Sequence, residues 1–138
     1  MTRRLLLIGI AMAVPLLLAS NVGAVTMQTV ERNVPYVIGF HPLHSSQHPY
    51  LGQMHLNFNK GIISGSYTDI SIRPGGPFAN ARNLPVAGGI SSSHVTLIIR
   101  HITFRGTVDG DKMSGSATIN GTIYQFSAQQ GTPGSGKQ

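Results

Sequence analysis

Apolar and polar residues alternate with period two over most of residues 34–128, and short Gly, Asn, Asp and Ser clusters interrupt the alternation. Period two places successive side chains on opposite faces, the pattern of half-buried β-strands. Asn120-Gly121 stands between two such runs, and both residue types tolerate the positive φ of a type I′ hairpin turn. A two-residue turn there sets Ile119 opposite Thr122 and Ala117 opposite Tyr124. Opposed residues share a face. One face then collects Met113, Gly115, Ala117, Ile119, Tyr124, Phe126 and Ala128. The other collects Ser114, Ser116, Thr118, Gln125 and Ser127, with Ile123 as an apolar exception.

The same reading extends upstream. A loop over residues 109–112 sets Val108 opposite Met113, Gly106 opposite Gly115 and Phe104 opposite Ala117. Val95, Leu97 and Ile99 are apolar at odd positions, whereas Ile102 and Phe104 are even. That parity switch requires a two-residue turn or a bulge at Arg100-His101, although neither residue favours a turn. A loop over 91–94 pairs Ile90 with Val95 and Gly88 with Leu97. FNKGIISGSYT (58–68) aligns with VDGDKMSGSAT (108–118) without a gap, as a shared hairpin grammar, and pairs Met54, Leu56 and Phe58 with Tyr67, Gly65 and Ile63. Strands are expected over 34–40, 53–58 and 63–72, with Pro35 confining the first to an edge or to the start of the sheet. Residues 25–33 read as polar and loosely held, and 129–138 as a flexible tail. The long connection RPGGPFANARNL (73–84) is the expected lid or binding loop, because long loops in small domains are mostly functional.

These elements predict an all-β fold: a small antiparallel up-and-down meander, closed or nearly closed into a barrel of about eight strands. Inward glycines at 65, 88, 106 and 115 favour the sharp coiling that closure needs. Residues 25–128 would form one domain.

Residues 1–24 stand apart. Thr2-Arg3-Arg4 is a basic start, 5–19 an apolar run interrupted by Pro15, and Val22-Gly23-Ala24 a small-residue cleavage site. Together they read as a signal peptide with a mature start at Val25, and hence a secreted or periplasmic bacterial protein with no stable membrane insertion after cleavage. The run is short for a spanning helix. The chain has no cysteine, so an exported domain must rely on its core. Ten Lys and Arg stand against four Asp and Glu, but the cations are scattered singly. A nucleic-acid site needs a clustered stripe, so no nucleic-acid partner is expected, and a cell-envelope component fits the mild positive charge better.

The run PVAGG…HVTL…FRGTVDGDKMSGSAT (84–128 in outline) resembles small secreted bacterial β-meander domains of uncharacterised function, whose build is calycin-like (avidin-like and lipocalin-like). The resemblance implies a barrel. It departs from avidins in having no Trp, and from lipocalins in lacking Gly-x-Trp, so neither family's ligand carries over.

Catalytic chemistry finds little support. The four carboxylates are Glu31, Asp69, Asp109 and Asp111, and the last two share one hairpin loop, where Asp serves turn chemistry. Ser64, Ser66, Ser114 and Ser116 alternate on strand faces, and no Gly-x-Ser-x-Gly elbow exists. No nucleotide fingerprint or cofactor motif appears. Four of the six histidines (His41, His44, His48, His55) crowd residues 41–55. His41, His44 and His48 are the candidate metal ligands, since neutral imidazole is the commonest one, though the spacing fits no standard zinc pattern. The inward aromatics Phe58, Tyr67, Phe104, Tyr124 and Phe126 are the candidate lining for a small apolar ligand, because an eight-stranded barrel either fills its interior or holds one such molecule. The expected function is an exported, non-enzymatic binding or structural module, with an envelope metal-binding protein and then a hydrolase as alternatives.

Overall fold

A computed structural model describes residues 30–133. It contains eight strands: β1 (Val30–Pro42), β2 (Tyr50–Asn59), β3 (Ile62–Asp69), β4 (Leu84–Ser91), β5 (His94–Ile99), β6 (Ile102–Asp109), β7 (Lys112–Ile119) and β8 (Thr122–Gln130). Each pairs antiparallel with the next, β1 also pairs with β8, and the sheet closes into an up-and-down barrel with no helix among the described residues. The expected signal peptide lies outside the described residues.

Every hairpin register read from the alternation is present. Ala117 faces Tyr124, Gly106 faces Gly115, Gly88 faces Leu97 and Leu56 faces Gly65. The loops expected to be four residues long are tighter. Asn59↔Ile62, Ser91↔His94 and Asp109↔Lys112 each add a pair, leaving two-residue turns. Turns of this length need positive φ to match the right-handed twist of the strands. Lys60 and Gly61, Arg100 and His101, and Asn120 and Gly121 all supply it at both central positions. At Arg100-His101 strand twist therefore overrides residue preference, and the parity switch is resolved by a turn, not a bulge.

Closure changes the reading of the ends. β1 is no edge strand. Pro35 is tolerated because it sits one residue beyond the last β1–β8 pair, Tyr36↔Gln130, where a missing N–H breaks no ladder bond. β1 starts at Val30, inside the stretch expected to be loose, and β8 runs on through Gln129 and Gln130, inside the expected tail. β2 begins at Tyr50 and β3 ends at Asp69, both earlier than expected.

The interior is filled by alternating side chains. Ile38, Met54, Leu56, Tyr67, Leu97, Ile99 and Phe104 are wholly buried. The backbones of β6 and β7 approach closely at Gly106 and Gly115. A Cβ at Gly106 would stand 1.9 Å from the Ser114 carbonyl oxygen, and one at Gly115 would stand 2.0 Å from that of Arg105. Ile123 is 48% exposed, as its place on the outer face requires.

Candidate functional site

The two barrel ends differ. One end is covered by the residues linking β1 to β2 and β3 to β4. The long β3–β4 connection is a stopper. Phe78 turns inward and is 1% exposed. Its ring centroid lies 5.0 Å from Tyr67, 5.7 Å from Phe40 and 6.3 Å from Phe104. Asp69 organises the connection, its carboxylate accepting from the amides of Ser71 (3.1 Å) and Asn80 (3.0 Å). Arg73 straps it to the β1–β2 loop. Its guanidinium donates to the His48 carbonyl at 2.8 Å and to the Gln47 side chain, and lies 4.2 Å from the Tyr50 ring centroid. The expected lid is thus packed into the core.

With Phe78 in place, the interior candidates behave as core. Phe104 packs edge-on against Phe126 at 5.4 Å. Tyr67, Phe104 and Phe126 are buried, and Tyr124 is half-buried near the stoppered end, 6.0 Å from Phe40. The Tyr67 hydroxyl is buried without a hydrogen-bond partner. Burial, then the charge of Asp69, pushes its pKa up.

The histidines do not assemble. Among the described residues no three His, Cys, Asp or Glu come together to hold a metal ion, and this includes His41, His44 and His48. Phe40 faces the core, so His41 faces outward by alternation, its Nδ1 3.0 Å from the Pro42 carbonyl oxygen. His44 takes a left-handed conformation in the β1–β2 loop, and His48 is exposed. The Arg73 strap fixes this loop by its backbone, leaving no inward fold that would gather the rings.

The opposite end is open. A pocket of about 230 Å³ lies among the β2–β3, β4–β5 and β6–β7 turns and the two outer ends of β1 and β8. Its walls are Tyr36, Phe58, Ile90, Val108 and Met113, and its rim carries Glu31, Asp111 and Gln130. Phe58 alone among the expected ligand residues belongs to it. A larger depression of about 690 Å³ runs along the outer wall beside Val37, Gly39, His41 and Ser127. Backbone, Ser and Gln line much of that trough and nothing encloses it, so the mouth pocket is the better site.

Sequence reasoning missed the rim for a definite reason. Tyr36, Ile38 and Phe40 point inward at even positions, so simple alternation puts Glu31 outside. A β-bulge intervenes: Glu31 pairs with Phe58 but Val34 pairs with Leu56, so Arg32 and Asn33 together oppose one residue. The extra residue reverses the parity and turns Glu31 onto the face of Phe58. Asn33 holds the bulge with a φ of 58°, its amide donating to Asn57 Oδ1 at 2.9 Å. Asp111 is held from the other side, its carbonyl accepting from the Gln130 amide at 2.9 Å. Both charges reach Tyr36, whose pKa is pushed up to about 12 by burial and then by Glu31 and Asp111. No protein-family model, curated protein or solved structure matches this chain.

Proposed function

We propose that this protein is an exported, non-enzymatic binding module that holds a small, largely apolar molecule in the open mouth of its barrel. One observation carries the reading. The barrel is stoppered at one end by Phe78, while at the other Tyr36, Phe58, Ile90, Val108 and Met113 wall a pocket of about 230 Å³, of which Ile90 and Val108 are partly exposed. The apolar surface that Ile90 and Val108 leave exposed at this mouth gains free energy when a ligand covers it. The calycin-like resemblance fits this reading, with the ligand moved from the filled interior to the rim. Export rests on the basic start, the apolar run and the Val22-Gly23-Ala24 site. A cell-envelope component is a natural source for the ligand.

Native mass spectrometry of protein purified from the periplasm or medium tests the proposal. A low-mass adduct is expected, and Val108→Trp, which fills the mouth, should abolish it. Wild type without adduct, and without thermal response to a panel of short apolar molecules, would defeat the reading.

A further inference from the structure

The rim of the mouth has a chemical character that the apolar walls alone do not explain. Of the chain's four carboxylates, Asp69 is consumed by the stopper, accepting hydrogen bonds from Ser71 and Asn80. Glu31 and Asp111 come from opposite sides of the barrel seam to the same pocket. Neither side-chain carboxylate accepts a hydrogen bond or pairs with a cation among the described residues. This happens although eight Lys and Arg stand against four Asp and Glu after residue 24, so surplus cations could have neutralised them. Tyr36, 5% exposed as a residue, lines the same pocket, its hydroxyl held by no hydrogen bond among the described residues. Unlike the Tyr67 hydroxyl, that of Tyr36 is not sealed in the core, so it stands where a bound molecule can reach it.

We infer that the mouth pocket is a site for a small amphiphilic cation, an alkyl or arylalkyl primary amine whose ammonium sits among Glu31, Asp111 and the Tyr36 hydroxyl while its tail lies on Phe58, Ile90, Val108 and Met113. The inference rests on the mouth-binding reading above and names its ligand class. An ammonium carries three donors and no acceptor, which matches two carboxylates and a hydroxyl oxygen. The Tyr36 and Phe58 rings, 6.4 Å apart and edge to face, add aromatic surface that favours a cation. A divalent metal fits worse. It needs six or so oxygen ligands or retained waters, whereas five of the walls are apolar or aromatic. The volume of about 230 Å³ falls below the range of drug-sized sites, so the tail is short.

Three probes of one chain length separate the terms: n-hexylamine, n-hexanol and hexanoate. The reporter is the methyl resonance of Met113 at the mouth, with Met54 in the barrel interior as control. Hexylamine should shift Met113 and leave Met54 unmoved. It should bind about tenfold more tightly than hexanol, the scale of one partly solvated charge-assisted hydrogen bond, with hexanoate weakest. The Glu31→Gln, Asp111→Asn double variant should bind hexylamine and hexanol alike, and its unchanged melting curve would show that the barrel is intact. Hexanol or hexanoate binding as tightly as hexylamine, or a preference that survives the double substitution, overturns the cation inference and leaves mouth binding standing. If none of the three probes moves Met113, mouth binding itself falls.

Discussion

Phe78 lies with its ring 5.0 Å from the ring of Tyr67, so a residue from a Pro- and Gly-rich connection completes the core of the barrel. Both are buried. The connection is therefore anchored by a side chain as deeply placed as any strand residue. Phe78→Ala should lower stability by about 3–5 kcal/mol, the range for deleting a buried aromatic. Ile72→Ala, in the same connection but 98% exposed, should stay within about 0.5 kcal/mol of wild type. Urea melts of the two variants check this, and equal losses would mean that Phe78 is not seated in the core.

Tyr67 makes an opposite prediction. Its buried hydroxyl has no partner. An unsatisfied buried polar group costs about 1–3 kcal/mol, so Tyr67→Phe should leave stability unchanged or raise it by about 1 kcal/mol. A marked loss in the same melts would reveal a hydrogen bond to that hydroxyl.

The tyrosines also set the alkaline limit. Burial raises the pKa of Tyr36 and of Tyr67 above the ordinary value of 10.0. Above pH 10 the unfolded chain loses these phenolic protons while the folded chain keeps them. The unfolded state then binds fewer protons, and stability falls as pH rises. For Tyr36 the loss runs from pH 10 to about 12. Melting temperatures followed from pH 8 upward should decline through this window, and Tyr67→Phe should flatten the decline.

The turns offer a paired test. Gly121 has a φ of 82° with open space around it, so Gly121→Val strains the backbone alone and should cost more than about 1 kcal/mol. His101 has a φ of 69° without being glycine. His101→Gly should raise stability by about 1 kcal/mol, because a left-handed conformation costs other residues roughly that much. Asp111→Ala should change little, since Asp111 contributes to its turn through its backbone carbonyl. Denaturant midpoints should rank Gly121→Val lowest, Asp111→Ala close to wild type and His101→Gly highest.

Export is tested at the N-terminus. Mass analysis of the protein from an expressing bacterium should give a mature chain starting at Val25. Intact Met1 in the membrane fraction would contradict this.

What the sequence by itself determined is local. Period-two alternation and two-residue turns specify which residues oppose each other, because a one-residue slip would carry every apolar side chain to the wrong face. The hairpin registers of β2 with β3 and of β4 through β8 follow from that constraint, and so does an all-β meander. Tertiary structure decided the rest. Pairing of β1 with β8 joins residues 86 positions apart, Phe40 and Phe126, and no local pattern encodes it. Closure left one end to be filled, and Phe78 filled it because the barrel offered an apolar hole to a connection otherwise made of loop residues. The mouth depended on the bulge at Arg32 and Asn33, where one unpaired residue reversed the alternation and brought Glu31 to Phe58. The histidines show the converse. They cluster along the chain, but a strand face, a left-handed loop residue and a strapped segment hold them in separate surroundings, since neighbours in sequence converge only where the backbone turns their side chains the same way.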